Sequence, residues 1–97
     1  MIVNIDERST NNNDYIIFPN PIDDIINIKL NVQKASLTSI KLFSSNGSFI
    51  QEIDNSYYNV GTYSLSYKLI NQLAEGLYYL RLINDEQIII KKIIINH

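Results

Sequence analysis

The stretch DDIINIKLNV, residues 23–32, alternates without a break. Ile26, Ile28, Leu30 and Val32 fall on one side, with Asn27, Lys29 and Asn31 on the other. Successive side chains of a strand point to opposite faces. Period two over this length therefore predicts a strand with one buried and one wet face. No helical spacing accommodates the same pattern.

The same rhythm recurs on both sides of that stretch. Upstream, DYIIFPNP gives a short apolar run, Tyr15–Phe18, closed by Pro19 and Pro21. Proline cannot donate to a ladder, so this segment is expected as a first or edge strand that bends away at Pro19-Asn20-Pro21. Downstream, SLTSIKLFSSNGSFIQEI (residues 36–53) sets Ile40 and Leu42 against Ser39 and Lys41. Asn46-Gly47 then supplies the positive-φ turn of a hairpin, and Phe49–Ile53 returns. NVGTYSLSYKL alternates again, with Tyr63, Leu65, Tyr67 and Leu69 on one face. INQLAEG tolerates a helix but is long enough only for a turn. GLYYLRLIN puts Tyr78, Leu80 and Leu82 opposite Tyr79 and Arg81, and Gln87–Ile95 forms the last strand. Its isoleucines occupy both faces, which predicts a strand near the centre of a sandwich or one clamped under neighbouring loops. Tyr57-Tyr58 reads as part of a turn-like segment.

These runs make about seven short strands and no helix, with a turn signal every ten residues or so. The expected fold is an all-β, immunoglobulin-like antiparallel β-sandwich. Ninety-seven residues fit one such domain, expected over residues 15–97, behind a polar linker over residues 1–14. That linker carries Asn11, Asn12 and Asn13 and no basic-then-apolar leader pattern.

Composition removes several function classes. A net charge of −2 offers no basic stripe to displace counterions, so no nucleic-acid partner is expected. No apolar run approaches the roughly 20 residues of a membrane helix, because Lys91 and Lys92 interrupt Ile88–Ile95, and no membrane insertion is expected. With no cysteine there is neither a thiolate nucleophile nor a cysteine-based metal site. The one histidine, His97, is the last residue, so no Ser-His-Asp arrangement can be assembled and no catalytic residue is expected. Asp23, Asp24 and Asp14 lack the alternating spacing of a calcium loop and read as turn carboxylates. Gly47, Gly61 and Gly76 form no phosphate loop. Neither metal nor cofactor is expected. Tyr57, Tyr58 and Tyr79 are the candidate surface rings for ligand stacking, whereas Tyr63, Tyr67 and Tyr78 alternate inward. Adjacent strand residues face opposite ways, so at least one of Lys91 and Lys92 meets solvent and guards an edge.

Four landmarks, taken in order, resemble one family. YIIFPNPIDDIINIKL resembles the Tyr-Pro-Asn-Pro opening and following strand of the type A C-terminal sorting domains of the type IX (Por) secretion system. SIKLFSSNGSFIQE resembles that family's next hairpin, LAEGLYYLRLIND its Gly-x-Tyr segment, and QIIIKKIII its closing lysine-containing strand. The resemblance implies the last domain of a secreted protein and no catalytic activity. It implies a covalently linked N-terminal cargo that crosses the periplasm and then the outer-membrane translocon to the cell surface or medium. A sortase-like surface peptidase then removes the domain, cutting upstream of Tyr15. It places the motif positions at Pro19, Asn20, Pro21, Gly47, Gly76, Tyr78, Lys91 and Lys92, on a domain expected to act as a monomer. Two other readings fit the strands alone: a carbohydrate-binding or adhesive accessory domain, and a plain immunoglobulin-like spacer.

Overall fold

The computed structural model describes residues 14–70, 73–84 and 87–96. The expected linker, apart from Asp14, and His97 lie outside them. Seven strands follow in order: β1 (Asp14–Phe18), β2 (Ile25–Val32), β3 (Ser36–Ser44), β4 (Phe49–Tyr58), β5 (Gly61–Lys68), β6 (Gly76–Asn84) and β7 (Gln87–Ile95). Asp14, the last residue of the expected linker, opens β1. Among the described residues there is no helix.

The strands pair antiparallel into a three-stranded sheet, β1-β2-β5, and a four-stranded sheet, β4-β3-β6-β7. Relative to a constant-type immunoglobulin domain, the fourth strand stays beside the third instead of joining the first sheet. The alternation read from the sequence becomes the core. Ile26, Ile28, Leu30 and Val32 of β2 are buried, as are Ile40 and Leu42 of β3 and Tyr78, Leu80 and Leu82 of β6. Each such Ile or Leu contributes about 1.5–3 kcal/mol by leaving water, which is why register is fixed wherever one face is covered. Tyr63, Leu65 and Tyr67 of β5 face the same core but are only half-buried, because β5 is an edge strand.

Contacts between side chains and backbone lock the two sheets together. Tyr15 is fully buried, and its hydroxyl donates across the core to the Leu80 carbonyl at 2.8 Å. On the opposite flank, Gln51 of β4 accepts from Ile70 N–H at 2.8 Å and donates to the Lys68 carbonyl at 3.3 Å. Tyr58 of β4 meets Tyr63 of β5 edge-on, with ring centroids 4.8 Å apart.

Two expectations are corrected. The last strand is not central: β7 is the outer strand of the four-stranded sheet, and Ile88, Ile90 and Ile94 are exposed on its outward face. Residues on both faces are apolar because one face packs on the core while the other forms part of an exposed patch. Tyr57 and Tyr58 do not form a turn; they end β4, paired with Leu37 and Ser36. The polar residues Asp54, Asn55 and Ser56 imitate a turn in sequence, yet they sit on a strand whose register shifts twice against β3. Bulges of this kind concentrate on edge strands, where they discourage pairing with another chain.

Candidate recognition site

The positions that the resemblance assigns to motifs are spread from residue 19 to residue 92, and the fold gathers most of them at one end of the sandwich. Pro19, Asn20 and Pro21 are exposed, and both prolines follow cis peptide bonds. They lead to Ile22, which leaves its own sheet and lies beside the end of β7 as a parallel bridge to Ile95. Ile22 N–H donates to the Ile94 carbonyl, and Asn96 N–H donates to the Ile22 carbonyl, both at 2.8 Å. Ile22 and Ile95 are buried at 1% exposure each, so this junction is part of the core and not a surface contact.

On the other side of β7, Gly76 pairs with Ile95 and Tyr78 with Ile93. Gly76 has φ +143, a conformation that side-chain-bearing residues rarely adopt. Tyr78 points into the core, and its hydroxyl closes the preceding loop on the Ala74 carbonyl at 2.6 Å. Ser44 pairs with Tyr78, which brings the β3–β4 hairpin to the same end. In that hairpin Gly47 takes φ +91, and its N–H donates to the Ser44 carbonyl at 3.0 Å.

The two lysines separate by face. Lys91 turns inward, half-buried, with its ammonium 5.2 Å from the centre of the Tyr15 ring. Lys92 turns outward, opposite Tyr79. An inward-pointing charge on an edge strand is one way proteins blunt that edge.

The outward face of the four-stranded sheet carries a second feature. Cross-strand register lines up Phe49, Phe43, Tyr79 and Lys92 in one row and Glu52, Lys41, Arg81 and Ile90 in the next. Phe43 and Phe49 meet edge-on at 5.9 Å. The Arg81 guanidinium lies 4.6 Å from the centre of the Phe43 ring, and the Lys41 ammonium 5.8 Å from that of Phe49. Phe43, Gly47, Tyr79, Arg81 and Ile90 line a hollow of about 350 Å³.

Of the three candidate stacking rings, Tyr79 lines this hollow and Tyr57 is 63% exposed elsewhere on the sheet. Tyr58 is engaged by the domain itself. Its ring packs against Tyr63, and its hydroxyl donates to the Asp54 carboxylate, which also accepts from Ser56 Oγ at 2.8 Å. Burial, then the hydrogen bonds to Asp54 and Tyr67, push the Tyr58 hydroxyl far above its ordinary pKa. Burial also raises Tyr67. Both remain neutral donors at physiological pH, and the cluster fastens β4 to β5 without making a nucleophile. Among the described residues no three His, Cys, Asp or Glu side chains come together as a metal site.

No local pattern singles out Ile22, Arg81 or Phe43. Their roles depend on which strands become neighbours. The one available signal was the placement of Arg81 and Tyr79 on the face opposite Leu80 and Leu82.

A comparison with curated proteins gives no match. A family described as Secretion system C-terminal sorting domain matches residues 16–96, a span that runs from β1 to the residue after β7. The chain belongs to this family of type IX C-terminal sorting signals.

Proposed function

We propose that this domain serves as the folded export address of a larger cargo, carried on its N-terminal side through the outer-membrane translocon. The observation that carries this reading is the convergence of Pro19–Pro21, Gly47, Gly76 and Tyr78 around the last residues of β7. Recognition then depends on a shape held by backbone pairing: the glycines and prolines set the path of the chain, and the exposed tripeptide and the β7 edge are available to a partner. Lys91 and Lys92 act in different ways, Lys91 by keeping the edge from pairing wrongly and Lys92 as a surface charge. The domain itself performs no chemistry. A sortase-like peptidase cuts upstream of Tyr15, in or before the asparagine-rich stretch, and releases or anchors the cargo at the surface. The domain works as a monomer.

The test is a fusion of residues 1–97 behind a periplasmic reporter in a bacterium that has this secretion system. The reporter is expected at the surface or in the medium, with the domain removed. A reporter that stays in the periplasm while native cargo is exported overturns the reading. A second reading, an accessory glycan-binding domain, draws on the 63% exposure of Tyr57. It requires tyrosine fluorescence to respond to members of a glycan panel.

A further inference from the structure

The hollow on the outward face of the four-stranded sheet has the chemistry of a binding site. Its walls are Phe43, Tyr79 and Ile90, with the Gly47 hairpin at the rim, and Arg81 lies among them. Ile90 is 60% exposed, although an isoleucine beside two aromatic rings is an apolar surface that water covers at a cost. The Arg81 guanidinium lies over the Phe43 ring, 4.6 Å from its centre. A guanidinium is a fork of N–H donors that matches a carboxylate bidentately, and contact with an aromatic ring still leaves it donors for one. Arg81 Nε is shielded from solvent and has no hydrogen-bond partner among the described residues, an unsatisfied donor next to the hollow.

Cations outnumber acids in the two rows around it. Lys92 lies across from Tyr79, Lys41 lies across from Arg81, and the acid within these two rows is Glu52, at the far end beyond Lys41. We propose that the hollow bounded by Phe43, Tyr79, Arg81 and Ile90 binds an acidic protein segment, with a carboxylate on Arg81 and an adjacent apolar side chain between Tyr79 and Ile90. A sheet face with one cation on each of β3, β6 and β7 suits an extended peptide, which presents alternate side chains to it at the same period. The proposal rests on the export reading only for the source of the segment, a subunit of the export machinery; the binding itself is independent of it.

The probe is the peptide Ac-Ser-Phe-Asp-Leu-Ser-NH2, titrated into the 15N-labelled 97-residue chain at low salt, beside the same peptide with asparagine for aspartate. Amide shifts are expected at Phe43, Gly47, Tyr79, Arg81 and Ile90, with the aspartate peptide binding at least ten-fold more tightly. Arg81→Gln is expected to reduce that preference to under two-fold, and Arg81→Lys to keep part of it, with the spectra of the core residues unchanged. Shifts elsewhere, equal binding of the two peptides, or an unchanged preference in Arg81→Gln overturns the proposal. So does a response of the same residues to phosphatidylglycerol vesicles alone, which would assign the face to a membrane. A wild-type fusion that reaches the surface while the peptide fails to bind removes the hollow and leaves the export reading standing.

Discussion

Replacing Tyr15 by phenylalanine isolates a single oxygen atom that spans the sandwich. Tyr15 belongs to β1, which among the described residues is an edge strand paired only with β2, yet its side chain is fully buried and crosses to the other sheet. The hydroxyl donates to the Leu80 carbonyl at 2.8 Å and lies 3.4 Å from that of Ile89. Phenylalanine keeps the ring, its burial and its position 5.2 Å from the Lys91 ammonium, since the attraction of a cation to an aromatic face does not need the hydroxyl. What disappears is one buried hydrogen bond, with a net contribution of about 0.5–1.5 kcal/mol. For a domain of this length each kcal/mol corresponds to about 4–8 °C in Tm, so Tyr15→Phe is expected to melt about 2–12 °C lower. Tyr15→Ala also empties the space between the sheets and is expected to cost about 3–5 kcal/mol, a large part of the about 5–15 kcal/mol such domains possess. Urea unfolding followed by far-UV circular dichroism measures both, with the slope unchanged for the phenylalanine variant. Tyr57→Phe, on an exposed ring, serves as the control and is expected within about 0.5 kcal/mol of wild type. If Tyr15→Phe were as stable as wild type, the hydroxyl would not be tying β1 to the opposite sheet.

Thr38 is fully buried on β3 and its Oγ1 has no hydrogen-bond partner among the described residues, so the isosteric Thr38→Val should raise stability by about 1 kcal/mol; a loss in urea midpoint would show that the hydroxyl is satisfied. Gly47 takes φ +91 with open space where a Cβ would go, so Gly47→Ala meets backbone strain alone and should cost about 1–2 kcal/mol by the same measurement, and an unchanged midpoint would mean the turn relaxes freely. Burial and the Asp54 hydrogen bond hold Tyr58 neutral in the folded domain, and burial does the same for Tyr67, while in the unfolded chain both ionise near pH 10. Their contribution is therefore complete below about pH 10 and is lost as the pH rises beyond it, so the folded fraction should fall steeply in strong alkali. The double variant Tyr58→Phe, Tyr67→Phe should flatten that fall; an identical alkaline profile would refute the assignment.

The β-sandwich was legible because alternation in β2, β3, β5 and β6 matches their buried faces residue by residue, as at Ile26, Ile28, Leu30 and Val32. Asn46-Gly47 and the Pro19–Pro21 stretch marked chain reversals, because backbone limits at glycine and proline are local properties. The location of β7 was not legible. A strand with isoleucine on both faces reads as central, and only the sheet order shows that its outward residues face solvent. The end of β4 was hidden by Asp54, Asn55 and Ser56, whose polar side chains suit a turn as well as a wet strand. The hollow at Arg81 was hidden for a different reason: its walls come from β3, β6 and β7, and no single segment contains the pattern.

β7 is the outer strand of its sheet, with one edge facing away from β6. Ile22 pairs with the backbone groups of Ile94 and Asn96, so the even-numbered residues of this strand direct their N–H and C=O groups away from β6. By the alternation of an antiparallel ladder, Ile88, Ile90 and Lys92 direct theirs the same way. Such an edge, rich in isoleucine, is a template for unwanted pairing. Two devices restrain it. Ile22 occupies the last residues of the edge, and its position depends on the Pro19–Pro21 turn that precedes it. Lys91, at the middle of the strand, turns its stem inward against Tyr15, so a second sheet cannot extend the core there without burying a charge. Among the described residues the edge N-terminal to Lys91 is left open, beside Ile90 and the Arg81 hollow. A partner that reads this face can therefore combine backbone pairing on β7 with a carboxylate on Arg81, and a neighbouring copy of the domain, which would bring its own cations to the same rows, is disfavoured there.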